Sequence, residues 1–187
     1  MNYAILDNDH FYTEGLRYLI LRDGEDNHIA TDDIRWNWRL PAMDIIIVRC
    51  RFSLTANQQT LLEILSRLEN SRWNGRLFLC CNAQSRALAT RMHKRYISLE
   101  IHLLEDGQSL QDTAQMLAKG PADPAVHCLD LSLTDAEFTV LNLLTRGFPV
   151  RRVARTARMT EKIVSQHKCN ALKKLNVPNL FKLLNPI

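Results

Sequence analysis

Two sets of residues in this chain have types and spacings that could do chemistry. The first lies in Thr160 to Leu175, TEKIVSQHKCNALKKL, where Lys162, Ser165, Gln166, Cys169 and Lys173 fall on one side of a helix drawn through the stretch. Ammonium groups beside a side-chain amide suit non-covalent recognition of a polyanion. The second set is Asp7, Asn8 and Asp9, directly after a short apolar run, where acids this close could hold a divalent cation. No covalent chemistry emerges elsewhere. His10, His28, His93, His102 and His127 are scattered without a defensible nucleophile pairing, and no glycine-rich phosphate loop is present. Cys50, Cys80, Cys81, Cys128 and Cys169 form no CxxC pair and no zinc-type cluster with histidine. The chain is therefore not expected to be an enzyme, nor to carry a metal or cofactor.

The elements that must hold the first set are legible. Thr160 is a suitable N-cap, Glu161 complements the helix dipole at the start, and Lys173 and Lys174 complement it at the end. Val164, His167, Ala171, Leu172 and Leu175 recur at helical spacing and predict the buried stripe. Pro178 blocks continuation. Upstream, Pro149 to Ala157 predicts a short helix with Pro at its first position and Val153 and Ala154 pointing inward. Before it, Leu133 to Thr145 predicts a third, with a capping box from Thr134 to Glu137, an inward face of Phe138, Leu141, Leu144 and Thr145, and Gly147 at its end. Two helices joined by the tight Arg158-Met159 connection, the second capped and basic, read as a helix-turn-helix.

The letters Leu133, Thr134, Glu137, Gly147, Val153, Ala154, Thr160, Val164, His167, Lys174, Leu175 and Val177 resemble the DNA-binding domain of LuxR/FixJ-type bacterial transcription regulators. The chain departs from that pattern at Arg152, where an acid is usual, at Ile163, often Thr, and at Leu180, where Arg is expected. The resemblance implies that Ser165, Gln166 and Cys169 read base edges in double-stranded DNA. Gln166 can make a bidentate contact to adenine. Lys162, Lys168 and Lys173, with Arg151 from the helix before, are placed to meet phosphates, with Thr160 at the helix start.

Charge is divided unevenly along the 187 residues. Residues 1–128 carry 14 Lys/Arg against 16 Asp/Glu, whereas residues 129–187 carry 10 against 4, which suits a polyanion-binding module tied to a regulatory one. The Lys119-Gly120-Pro121-Ala122-Asp123-Pro124 stretch breaks any helix. These features divide the chain into an N-terminal domain at 1–119, a linker at 120–131 and a helix-turn-helix domain at 132–187. No apolar run approaches membrane-spanning length, and MNYAILDNDH lacks the pattern of a signal peptide. An odd number of cysteines without a secretion signal fits free thiols in the cytoplasm.

Residues 1–119 alternate short apolar runs with helical patterns. Strands are expected at Tyr3–Leu6, Asp44–Val48, Leu77–Cys81 and Ile101–Leu104, with another at His28–Ala30. Helices are expected at His10–Leu21, with Phe11, Leu16, Leu19 and Ile20 for burial, then at Thr55–Glu69, Gln84–Tyr96 and Ser109–Lys119. Trp36 and Trp38 read as packing residues. The alternation predicts an α/β domain built on a parallel sheet, followed by an all-α C-terminal domain.

The order of elements and the opening LDNDHFYTEGLRYLI are similar to the receiver domain of response regulators, a flavodoxin-like fold. The resemblance implies a phosphorylation pocket at the strand ends, and each position of it can be placed. The acidic pair becomes Asn8 and Asp9 with Asp7 beside them, the phosphoacceptor falls on Arg49, the hydroxyl position on Cys81 and the lysine position on Glu105. Arginine is no phosphate acceptor, a thiol is a poor donor, and Glu105 would repel a phosphoryl group. Arg49 is expected to pair with Asp9, Asp7 or Glu105 instead. The functional expectation is a sequence-specific, dimeric transcription regulator independent of aspartyl phosphorylation. The alternative is an adaptor that heterodimerises with a true response regulator. Leu180, Leu183 and Leu184 of the Asn179–Leu184 helix either provide a pairing surface or simply cover the recognition helix.

Overall fold

The computed structural model describes residues 1–7, 9–22, 28–31, 40–50, 55–83, 85–120 and 133–184. The expected linker beyond Gly120 and the residues Asn8, Trp36 and Trp38 lie outside them. Along the N-terminal half run β1 (Asn2–Leu6), α1 (His10–Arg22), β2 (His28–Thr31), a 3-10 turn (Leu40–Ala42), β3 (Ile45–Arg49), α2 (Thr55–Asn70), β4 (Arg76–Cys81), α3 (Arg86–Arg95), β5 (Glu100–Glu105) and α4 (Leu110–Lys119). The strands form one parallel sheet in the order β2-β1-β3-β4-β5.

Alternation along the strands sends side chains to two cores. Tyr3, Ile5, Ile45, Ile47, Phe78 and Cys80 pack under Leu16 and Ile20 of α1 and Leu117 of α4. Ala4, Ile46, Val48, Leu77, Leu79 and Cys81 pack under Leu61, Ile64, Leu65 and Leu68 of α2 and Leu88 and Met92 of α3. Burial on both faces is why the β3 and β4 sequences are apolar without interruption. Phe11 departs from the sequence reading: it is 89% exposed. It lies roughly a third of a turn away from the Leu16, Leu19 and Ile20 face, which suffices to cover the sheet.

The C-terminal half contains α5 (Asp135–Thr145), α6 (Val150–Thr156), α7 (Glu161–Lys174) and α8 (Leu180–Leu184). The capping box is formed: the Thr134 N–H donates to Glu137 Oε2 at 2.8 Å, and the Glu137 N–H to Thr134 Oγ1 at 3.2 Å. Gly147 takes φ 80°, a left-handed turn after α5 that a side chain would strain. Pro149 is the N-cap of α6 rather than its first helical residue, since its ψ of 149° is extended. Leu183 is buried and Leu180 is half-buried against the same apolar interior, so both contribute to the domain's own core, while the side chain of Leu184 lies outside the described residues.

The apolar layer beneath α3 continues into the helical half through Leu133, Phe138, Leu141, Leu172 and Leu175. Arg91 of α3 marks the junction. It is 7% exposed, its guanidinium lies 4.4 Å from the Phe138 ring centroid, and Nη2 is 2.6 Å from Asp135 Oδ1. Its Nη1 also donates to the Leu133 carbonyl at 3.4 Å.

Candidate nucleic-acid interface

The turn that presents α7 is built from local hydrogen bonds. The Met159 N–H donates to the Ala154 carbonyl at 2.8 Å, and Arg158 absorbs the reversal at φ 54°. Thr160 then caps α7, its Oγ1 accepting from the Ile163 N–H at 3.3 Å. Val164, Ala171 and Leu175 are fully buried, and Val164 packs with Val140, Leu144, Val153 and Ala154 of α5 and α6. His167, expected in the inward stripe, is half-buried at its margin. At the far end Lys174 Nζ lies 2.8 Å from Glu137 Oε2, which ties α7 to α5. Burial opposes ionisation of Glu137, but the bonds from Lys174 and Thr134 outweigh it and hold its pKa below the ordinary value. The orientation of α7 is therefore set by its buried side and one ion pair, leaving the opposite side free.

That opposite side carries Lys162, Gln166, Cys169 and Lys173, all exposed. Their spacing of four, three and four residues draws one line along a helix about 21 Å long, a size that the major groove of DNA admits. Thr160 and Arg151 are exposed at the same end of the motif, whereas Ser165 and Lys168 are half-buried on the flanks. Among the described residues, Arg151, Lys162, Lys168 and Lys173 belong to no ion pair. Arg152, at the position where an acid was expected, stacks on Phe148 with its guanidinium 4.3 Å from the ring centroid. Ile163, noted in the sequence only as a departure from the pattern, is 41% exposed at the border of the line. Helical periodicity alone leaves such a border residue undecided between inside and outside.

The second candidate set gathers where the parallel strands end. The register places Leu6 beside Val48, Arg49 beside Cys80 and Cys81 beside Glu105, so the residues following these strands share one edge. Arg49 is folded inward, its side chain 12% exposed. Its Nη1 lies 3.1 Å from Asp9 Oδ2 and 3.2 Å from Asp7 Oδ2, and its Nη2 lies 3.6 Å from Asp106 Oδ1. The guanidinium carbon sits 3.9 Å from the Tyr12 ring centroid. Burial alone would lower the pKa of Arg49, but Asp7, Asp106 and Asp9 more than compensate and raise it. Asp9 also accepts from the Tyr12 N–H at 3.2 Å, which fixes the start of α1.

Two of the expected pocket residues are used differently. Glu105 does not meet Arg49; it pairs with Arg86 Nη2 at 2.7 Å, and the neighbouring Asp106 faces Arg49 in its place. The reason is the turn after β5, which sends consecutive side chains to opposite sides of the sheet. Cys81 is buried, and its thiol is pushed up to about 12 by desolvation and by Glu105, so it is neutral and unreactive. Asp106, Tyr12 and Arg86 escaped the sequence reading. Only the Asp106 assignment had a usable signal, an acid one residue past the expected position. Among the described residues no group of histidine, cysteine, aspartate and glutamate could hold a metal ion, and no helix is long and apolar enough to cross a membrane.

Comparison with known proteins accords with this geometry. Residues 131–185, which include α5 to α8, match the family model of bacterial regulatory proteins of the luxR family. The whole fold is similar to solved response regulators. One RcsB structure, of two dimers bound to two parallel DNAs, has TM-score 0.58 and 23% identity over 99% of this chain and 97% of that one. RcsB of Salmonella typhimurium has TM-score 0.56 and 23% identity over 99% and 95%. FixJ of B. japonicum has TM-score 0.50 and 16% identity over 98% and 93%. No curated protein matches the sequence.

Proposed function

We propose, from a luxR-type domain joined to a response-regulator-like fold, that the protein is a sequence-specific DNA-binding transcription regulator that works without aspartyl phosphorylation. The observation that carries the reading is the exposed line of Lys162, Gln166, Cys169 and Lys173 on a helix whose other side is buried. In this reading α7 enters the major groove. Ser165, Gln166 and Cys169 face base edges, and Arg151, Lys162, Lys168 and Lys173 meet phosphates around the Thr160 cap. The functional units are 1–119 and 132–187, joined by 120–131.

Independence from phosphorylation rests on the N-terminal pocket. Phosphoryl transfer needs a carboxylate nucleophile, a divalent cation and a fixed positive charge for the transferred group. Here a guanidinium occupies the centre of Asp7, Asp9 and Asp106, where a cation and phosphoryl group would have to sit. Asp7, Asp9, Arg49, Cys81 and Glu105, with Asn8, are then a pocket converted to a structural role. The test pairs two measurements on the full chain. It should retard promoter DNA at moderate salt with no added phosphodonor, and incubation with acetyl phosphate and magnesium should leave it unphosphorylated. Stoichiometric acid-labile phosphorylation would refute the second half of the reading, and absence of any salt-sensitive DNA binding the first.

A second reading, an adaptor acting through heterodimers, is favoured by one observation. Phe11 and Tyr18 of α1 and Leu110 of α4 are each more than two-thirds exposed, and α1 and α4 are neighbours. This apolar surface suits pairing with a second copy or with a related regulator. DNA protection of two half-sites by the protein alone marks a homodimer; protection only with a partner regulator marks the adaptor.

A further inference from the structure

The residue on α7 that no expected role absorbs is Ile163. A large aliphatic side chain, 41% exposed, stands between Lys162 in sequence and Gln166 one turn on, at the edge of a basic, polar surface. The buried side of the helix is filled by Val164, Ala171 and Leu175. Ile163 borders the exposed line on one flank and Ser165 on the other, and of the two Ile163 is the more open. Its backbone N–H donates to the Thr160 cap at 3.3 Å, which fixes it in the first turn of the helix. The β-branched side chain has one strongly preferred χ1 in a helix, so its methyl groups occupy a defined place in the first turn.

A side chain of this chemistry cannot bind phosphate and offers nothing to the donors and acceptors of base edges. The major groove presents one apolar group, the C5 methyl of thymine. Gln166 stands three residues further along the same helix, about 5–6 Å away at Cβ, so the two side chains can reach base pairs stacked about 3.4 Å apart. We propose that Ile163 is a specificity residue that packs against a thymine methyl beside the adenine taken by Gln166, so that each half-site contains A·T pairs at adjacent positions. This rests on the DNA-binding reading of α7 and adds to it the identity of the bases.

The test uses the full chain. A duplex is first selected with it from a random pool, and each thymine of the selected site is then replaced singly by deoxyuridine, which removes the methyl and leaves every hydrogen-bonding group. Burying one such carbon corresponds to about a fourfold change in affinity. The expected result is one thymine per half-site, next to an adenine, whose replacement weakens binding about fourfold. The same replacement should have no effect on Ile163→Ala and an intermediate effect on Ile163→Val. Helical content by circular dichroism should be unchanged in both variants. Sensitivity that persists in Ile163→Ala, or wild-type binding indifferent to every deoxyuridine, overturns the inference while leaving DNA binding intact. Failure to enrich any sequence removes the DNA-binding reading and this inference together.

Discussion

The two halves of the molecule treat their cations in opposite ways. In the N-terminal half Arg49 points inward, where three carboxylates and the face of Tyr12 surround it. In the C-terminal half Lys162 and Lys173 point outward, in no ion pair among the described residues. The difference arises from where the acids are. Asp7, Asp9 and Asp106 converge because parallel strands end on one edge of the sheet. After α5 begins, the acids are Asp135, taken by Arg91, Glu137, taken by Lys174 and the capping box, and Glu161 at the start of α7. The few acids of that half are engaged mostly on the side of α7 away from its exposed line. A guanidinium is structural where acids enclose it, whereas an ammonium stays available to an external anion where acids are withheld.

Substitutions at four residues sharpen or break this contrast. The largest effect is expected inside the pocket. Arg49→Asp replaces the arginine that pairs with Asp7, Asp9 and Asp106 by a further acid, in a site where Asp7 is 5% exposed. A loss of about 3–5 kcal/mol is expected from uncompensated buried charge, with Arg49→Ala losing less. Denaturant unfolding of the full chain reads it. An unchanged midpoint for Arg49→Asp would mean that the enclosed arginine is not structural.

The next effect lies at the enclosed Glu137–Lys174 ion pair of the C-terminal half. Glu137→Ala removes both the capping-box acceptor and the partner of Lys174, at about 2–3 kcal/mol. The pH dependence follows from its lowered pKa. A carboxylate more acidic folded than unfolded contributes fully above its unfolded value. That contribution fades as pH falls through the lowered folded value. Wild-type stability should therefore decline over this acid range more steeply than that of Glu137→Gln. Parallel acid profiles would show that Glu137 is not held ionised by Lys174.

The smallest effects concern the exposed line, and there the contrast is between two residues of one helix. Gln166→Ala should lower discrimination between the selected site and an unrelated duplex by about 1–3 kcal/mol. Lys173→Ala should weaken both duplexes alike and reduce the salt slope by about one unit. Binding isotherms over a salt series separate them. Equal losses on specific and non-specific DNA for Gln166→Ala would contradict its role as a base reader. An unaltered slope for Lys173→Ala would contradict a phosphate contact.

The helical half was legible in the sequence because its determinants are local. A cap at Thr160, a capping box from Thr134 to Glu137, a glycine at 147 and a buried stripe through Val164, Ala171 and Leu175 all act within a few residues of one another. The strand and helix alternation of the N-terminal half was legible for the same reason. A pocket assembled from four strand ends is not local. Sequence order places Arg49 beside the acids, but only the register and the turn after β5 decide that Asp106 faces it while Glu105 turns to Arg86. Likewise no periodicity shows that Arg91 of α3 closes over Phe138, because the partners are 47 positions apart and meet only when the sheet layer and the helical bundle share an apolar interior. The sequence by itself determined the elements, their caps and the uneven charge. The tertiary structure decided which charges are enclosed and which face outward, because enclosure depends on distances between segments that chain connectivity does not constrain.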